Sequence, residues 1–236
     1  MNNNLEPKKI VDTVDLLYKR ISERFPDSGL SKVCLQLHSI AKDSQLRYEW
    51  IRKPHIMLRV GVAIVITLIL LIVGIGVSAT ATFSSIQEIE FTDFFQALEA
   101  GMNTVILIGA ALLFLVTVET RKKRNRAMIA IHQLRILAHV IDMHQLTKAP
   151  ERVFFDQHQQ RTASSPHETM NTFELTRYLD YCSEMLSLVG KIAALYAQDF
   201  DDQVVLGSVN DVENLTTGLS RKIWQKIMIL YRFKQK

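Results

Sequence analysis

Two long stretches of this chain carry no ionisable side chain, and they dominate its pattern of hydrophobic and polar positions. The first runs over residues 60–87 and the second over residues 101–118. A helix needs roughly 20 apolar residues to cross the hydrocarbon core of a bilayer, because its backbone amides must all bond within the segment. Both stretches are therefore predicted to be membrane-spanning helices, and a buried helix of a soluble protein is the less favoured alternative for each.

The charges that flank these stretches predict how the protein sits in a membrane. Basic residues precede the first stretch: Arg47, Arg52, Lys53 and Arg59. Five more follow the second: Arg121, Lys122, Lys123, Arg124 and Arg126. The connector at 87–100 has only acidic charges: Glu88, Glu90, Asp93 and Glu99. Because lysine and arginine stay on the cytoplasmic side, we expect a multi-pass protein of the cell (inner) membrane with both termini in the cytoplasm. The basic run at 121–126 is expected to contact lipid headgroups rather than nucleic acid.

Outside this hairpin, apolar residues recur every three or four positions, which predicts helices and no strands. In the N-terminal part, 1–55, one helix ends at 26–29 and a second runs from 31 to about 52. In the C-terminal part, 121–236, the second span continues as a helix to about 146, which makes one helix of roughly 80 Å. A capping box of Asn171 and Glu174 opens a helix that reaches about 198. A last helix, near 205–230, has a heptad-like spacing that Thr216, Gly218 and Lys226 weaken.

The predicted fold is therefore all-α, an integral membrane hairpin of two transmembrane helices at 56–120 with a cytoplasmic helical bundle built from both termini. With 28 basic and 24 acidic residues among 236, and 48% hydrophobic residues, the chain does not have the composition of a disordered polymer. Cys34 and Cys182 are isolated and fall on the predicted cytoplasmic side, so we expect free thiols.

One predicted helix carries four polar residues at relative positions i, i+3, i+7 and i+10, here called the polar stripe: His132, Arg135, His139 and Asp142. Three interpretations remain open for it. The favoured one is a structural seam in which Arg135 and Asp142 satisfy neighbouring helices. The histidines could instead sense pH or an anion. A metal site at His139 and Asp142 is the third, although their spacing and the nearby arginine oppose it.

Enzyme chemistry has little support in the sequence. The motifs of phosphate loops, dinucleotide turns, metalloprotease helices and nucleophile elbows are all missing. The acidic segment 199–202 lacks the glycine and the terminal glutamate of an EF-hand loop, so an exposed helix break is favoured over a divalent-ion site. We therefore expect no enzyme activity, no cofactor and no metal.

Small and weakly polar residues inside the predicted spans favour close packing between helices. Gly74 and Ser78 provide such a face in the first span, and Asn103, Ala110 and Thr117 lie near one face of the second. Two spans cannot enclose a channel, so a pore needs several copies, and its acidic outer turn would concentrate cations. The leading hypothesis is a homo-oligomer within membrane lipid that acts as a gated small-ion pore under the control of its cytoplasmic helices. The alternative is a non-conducting, membrane-anchored scaffold or adaptor that binds a cytoplasmic protein partner.

Overall fold

The computed structural model describes residues 4–52, 60–67, 69–71, 74, 91–153 and 170–234. These residues form helices and no strand, which confirms the all-α prediction. The helices are α1 (Pro7–Arg24), α2 (Gly29–Arg52), α3 (Val60–Leu71), α4 (Phe91–Leu146), α5 (Thr172–Gln198) and α6 (Gln203–Lys234), with a 3-10 turn at Pro150–Val153. Five residues with predicted roles lie outside the described ranges: Lys53, Arg59, Ser78, Glu88 and Glu90. More than half of the first predicted span at 60–87 lies outside them as well.

The turn between α1 and α2 has a clear local cause. Asp27 adopts a φ of 55°, a left-handed conformation that aspartate tolerates better than most residues. The Ser28 hydroxyl then accepts a hydrogen bond from the amide of Ser31 at 3.1 Å, which caps the new helix. As a result α2 begins at Gly29, two residues before the predicted start.

The start and the apolar face of α5 confirm the sequence analysis. The Asn171 side chain accepts from the amide of Glu174 at 2.8 Å, and the Glu174 carboxylate accepts from the amide of Asn171 at 3.0 Å. This reciprocal pair is the capping box that the sequence predicts. All seven residues of the predicted apolar face are buried: Leu175, Leu179, Cys182, Leu186, Val189, Ala193 and Tyr196.

The chain divides into two compact units. One consists of residues 1–52 together with 124–236, and the other of residues 53–123. Helix α4 is shared between them, since its first 33 residues belong to the second unit and residues 124–146 belong to the first. The helix has no break over its 56 residues, as the lack of helix-breaking residues between 119 and 146 predicts.

The first unit is a helical bundle whose long-range bonds give the helix directions. Arg20 of α1 pairs with Glu184 of α5 at 3.0 Å, and the amide of Leu5 donates to Gln198 at 2.7 Å, so these two helices are antiparallel. Residues 124–146 of α4 run parallel to α6. Arg124, Arg135 and Gln145 contact Asp202, Asp211 and Lys226 respectively, so the partners follow one another in the same order along both segments. The core contributions of α4 face inward: Ala127, Ala130, Ile131, Leu134, Leu137, Ala138 and Ile141.

The second unit contains the most apolar part of the described chain. An 18-residue window within Glu99–Leu146 has a mean hydropathy of 2.2, and none of it is buried inside the protein. Helix α3 is also apolar, but the part of it that the structure describes, Val60–Leu71, is shorter than a bilayer crossing requires. Of the two predicted spans, one is therefore found as a helix long and apolar enough to cross a membrane. Within this unit α3 approaches α4 closely, because a Cβ placed on Gly61 would lie 3.2 Å from Leu112.

Candidate functional site: a polar clasp at the open end of the bundle

The turn between α5 and α6 connects several helices at one end of the bundle. We call this the open end; Tyr48 from the last turns of α2 and Arg124, the first residue of α4 that belongs to the bundle, both form hydrogen bonds there. The five residues that make these connections are called the clasp: Tyr48, Arg124, Gln198, Asp199 and Asp202.

On the α2 side of the clasp, the Tyr48 hydroxyl is held from two directions. It donates to the carboxylate of Asp199 and accepts from the side-chain amide of Gln198 at 3.1 Å. The Gln198 carbonyl oxygen in turn accepts from the amide of Leu5 at 2.7 Å. The end of α5 therefore fixes both the end of α2 and the residues that precede α1.

On the α4 side, Asp202 makes four contacts with its two carboxylate oxygens. One oxygen accepts from the amides of Val204 and Val205 at 3.1 and 3.2 Å, which caps the start of α6. The other accepts from Nε and Nη2 of Arg124, each at 2.7 Å. The Asp202 side chain is only 4% exposed, whereas that of Arg124 is 40% exposed.

These contacts decide the charge state of Asp202. Burial alone would raise the pKa of its carboxyl group, but the hydrogen bonds from Arg124 and from the two amides outweigh burial and lower the pKa below its ordinary value. Asp202 is therefore ionised at neutral pH, and its charge is balanced by the arginine at the point where α4 joins the bundle.

The predicted break between helices at 199–202 is present, and Asp199 and Asp201 are exposed there, but Asp202 is buried in the clasp. Asp202 accepts from four protein donors, which uses the acceptor capacity of its carboxylate, and Asp199 accepts from Tyr48. Within the described ranges, no three histidine, cysteine, aspartate or glutamate side chains are grouped so that they could hold a metal. Sequence reasoning assigned Arg124 to lipid headgroups and gave Tyr48 no role, because neither partner is local in the chain.

The residues of the polar stripe do not converge on one another. Arg135 reaches Asp211 of α6 at 2.9 Å, and Asp142 accepts from the side-chain amide of Gln145 at 2.6 Å. His132 and His139 are exposed on the outer side of α4. The arginine contact is of the kind that a structural seam requires, whereas the two histidines point to solvent.

At the opposite end of the bundle, Lys226 of α6 caps the end of α4. Its ammonium donates to the carbonyl oxygens of Gln145 at 2.7 Å and Lys148 at 3.1 Å. A cation at this position complements the partial negative charge of a helix C-terminus. Lys226, which weakens the heptad-like spacing of α6, thus stabilises the end of α4.

Replacing Lys226 by methionine should lower the free energy of unfolding by about 2 kcal/mol, because two carbonyls lose a charged donor while the apolar stem is kept. Thermal unfolding of the full chain in detergent, followed by circular dichroism, measures this loss. The matched control is Lys222→Met, since Lys222 is exposed on the same helix. An equal loss in both variants would contradict the capping role.

In the described part of the apolar unit, several polar side chains bond within their own helix. Four threonine hydroxyls donate to the carbonyl four residues earlier, at 2.8 to 3.0 Å: Thr67, Thr104, Thr117 and Thr120. Gly74, Asn103 and Ala110 are exposed, as Thr117 is. Of the predicted lipid-facing basic residues, Arg121, Lys122 and Arg126 are exposed, while Lys123 is buried and lies 3.8 Å from Glu119. Glu99 of the connector is exposed, and Asp93 lies within α4.

A comparison with models of known protein families finds no match, and searches of curated proteins and of solved structures find none either.

Proposed function

We propose that this chain is a two-pass protein of the cell membrane that assembles as a homo-oligomer and forms a gated small-ion pore. In this proposal the cytoplasmic bundle controls the pore, and membrane lipid surrounds the two spans. The observation that carries it is the uninterrupted helix α4, whose apolar part lies outside any protein core while residues 124–146 are packed into the bundle.

The continuous helix provides a mechanical route between the two units. Seven side chains of α4 are buried in the bundle core, so a repacking of the core must displace this segment or rotate it. A continuous helix without a proline is expected to pass such a displacement along its length rather than absorb it. The clasp adds a fixed point, since Arg124 is held by the buried Asp202.

The exposed apolar part of α4 supports the oligomeric half of the proposal. Its outward residues include Met102, Ile106, Leu107 and Phe114, each more than half exposed. Lipid can cover such a surface. The same helix of another copy can also pack against it, because small residues permit close approach between two helices. The exposed surface also includes the polar side chain of Asn103, which a contact with another copy would shield from lipid.

Purified full-length protein in voltage-clamped bilayers is expected to show discrete conductance steps. Neutralising the connector with Glu88→Gln, Glu90→Gln, Asp93→Asn and Glu99→Gln should reduce the preference for cations over anions, because carboxylates concentrate cations at a pore mouth. The reversal potential in a salt gradient measures this preference.

A matched control removes four exposed acids from the bundle instead: Asp12→Asn, Glu23→Gln, Asp201→Asn and Glu213→Gln. This control is expected to leave the reversal potential unchanged. Absence of conductance across pH and divalent-ion conditions would contradict the pore.

A second candidate function, the membrane-anchored adaptor, is favoured by a cleft of about 750 Å³ in the bundle. Residues of α1, α5 and α6 line it, and Trp224 at its border is 58% exposed. Exposed tryptophan side chains are frequent anchors of protein interfaces. An adaptor should keep its partner after the connector acids are neutralised, but lose at least tenfold in affinity on Trp224→Ala, with Trp224→Phe as the control that retains an aromatic ring.

A further inference from the structure

The outer side of α4 carries a heptad pattern that the bundle does not use. At spacings of three and four residues it presents Ile129, His132, Ile136, His139, Met143 and Leu146, which we call the outer seam. The four apolar members are 49 to 67% exposed, and both histidines are exposed. Residues of α4 on the other side, such as Leu134, Leu137 and Ile141, are completely buried in the bundle.

Two different apolar faces on one helix require two different partners. The inward face is explained by the core. The outward face repeats every seven residues, which is the spacing with which one helix packs against another along a common seam. Single exposed apolar residues need no explanation, but four of them in one register over 18 residues do.

From this geometry we infer that the outer seam is the contact between copies of this chain, with two α4 helices parallel and in register. This inference rests on the proposed function, because copies that cross one membrane in the same orientation must have parallel α4 helices. Identical residues then meet across the seam, with isoleucine layers at 129 and 136 and histidine layers at 132 and 139.

The charges beside the seam are compatible with the parallel arrangement. In a parallel pair Arg135 would flank Val140 of the second copy, and Asp142 would flank Thr147, so like charges are not opposed. An antiparallel pair would instead bring Arg135 beside Asp142 of the second copy. Arg135 is already paired with Asp211 of its own bundle, which removes part of the attraction that would favour that alternative.

The size of the seam explains why a shared membrane matters. Eighteen residues of helix span about 27 Å, and one helix face of this length buries less than the roughly 800 Å² per partner of a stable soluble complex. Anchoring in the same membrane raises the effective concentration of copies and makes a short seam sufficient. The two polar histidine layers weaken the seam relative to leucine and leave the contact reversible.

Disulfide formation in the full-length protein, kept in lipid nanodiscs or native membranes, tests this inference. The variant Ile129→Cys should form a covalent dimer on mild oxidation, because parallel pairing places residue 129 of one copy against residue 129 of the second copy. Leu16→Cys is the matched control, since Leu16 and Ile129 are both 59% exposed and Leu16 lies on α1. The native cysteines should not compete, because burial raises the pKa of Cys34 and of Cys182 to about 12.

Two further variants test the packing in opposite directions. Ile136→Glu should reduce the yield of the Ile129→Cys dimer at least fivefold, because it places two carboxylates in one apolar layer. His139→Leu should increase the yield at low protein-to-lipid ratio, because an apolar layer replaces a polar one. Both positions are exposed in the single chain, so neither change should disturb the fold of the bundle.

The possible failures of the seam and of the proposed function can be distinguished. If the protein is in the membrane but position 129 cross-links no better than position 16, the seam is wrong and the pore proposal stands. If a dimer forms only when Ile129→Cys is mixed with Leu146→Cys, the helices are antiparallel, and both the seam and a common membrane orientation are overturned. If the protein is recovered without detergent in the soluble fraction, the membrane function itself fails.

Discussion

Replacement of Asp202 by alanine should lower the free energy of unfolding of the bundle by about 3 kcal/mol. The variant loses the cap of α6, which is worth about 1 kcal/mol, and the charge-assisted bonds from Arg124, which are worth about 2 kcal/mol. Because Arg124 is 40% exposed, water partly compensates the arginine, and the loss stays below that of a fully buried pair. Chemical unfolding of the full chain in detergent measures the effect.

The control for this change is Asp202→Asn, which keeps a good helix cap and removes only the charge. It should cost roughly half as much as the alanine variant. The pKa of Asp202 is lower in the folded chain than in the unfolded one. Its contribution is therefore present above about pH 4 and is lost as the pH falls through the folded value. If the wild type and Asp202→Asn lost stability equally on acidification below pH 4, the carboxylate would not be the responsible group.

Leu137→Ala is the second change with a large expected effect, again about 3 kcal/mol of unfolding free energy. Leu137 is completely buried and belongs to the part of α4 that packs into the bundle. The lost contacts and the remaining cavity both act on the segment that the proposed function uses as its lever. Gating should therefore change together with stability, and single-channel open probability is the second measurement.

The matched control for that change is Leu16→Ala, an identical substitution at a position that is 59% exposed on α1. It should alter stability by less than about 0.5 kcal/mol. A variant at Leu137 that is as stable as the control would show that α4 is not an integral part of the bundle. Normal gating in a clearly destabilised Leu137→Ala protein would contradict the coupling but leave the fold intact.

The features that sequence reasoning predicted correctly depend on neighbours in the chain. The capping box at Asn171 and the apolar face of α5 follow from spacings of three and four residues, which the helix itself turns into contacts. The continuity of α4 follows from the residues between 119 and 146, none of which ends a helix. Such local signals are independent of how the helices are arranged in space.

The clasp could not be predicted because its partners are far apart in the chain. Arg124 and Asp202 are separated by 78 residues, and Tyr48 and Asp199 by 151. A basic residue that follows an apolar stretch fits lipid headgroups equally well, so Arg124 had two good interpretations and nothing in the sequence decided between them. The outer seam was hidden for a related reason, since its histidines were grouped with Arg135 and Asp142 before the buried side of α4 was known.

The threonines of the apolar unit have a consequence for the kind of motion that α4 can make. Each of the four hydroxyls is bonded to a carbonyl of its own helix. These bonds move with the helix, so none of them breaks when Thr104, Thr117 and Thr120 turn together about the axis of α4. A lipid environment offers no competing partners. Neither a rotation of α4 about its axis nor a slide along it would break these bonds, so the threonine hydroxyls put no hydrogen-bond cost on either movement. The resistance to both comes from residues 124–146, seven of whose side chains are buried in the bundle.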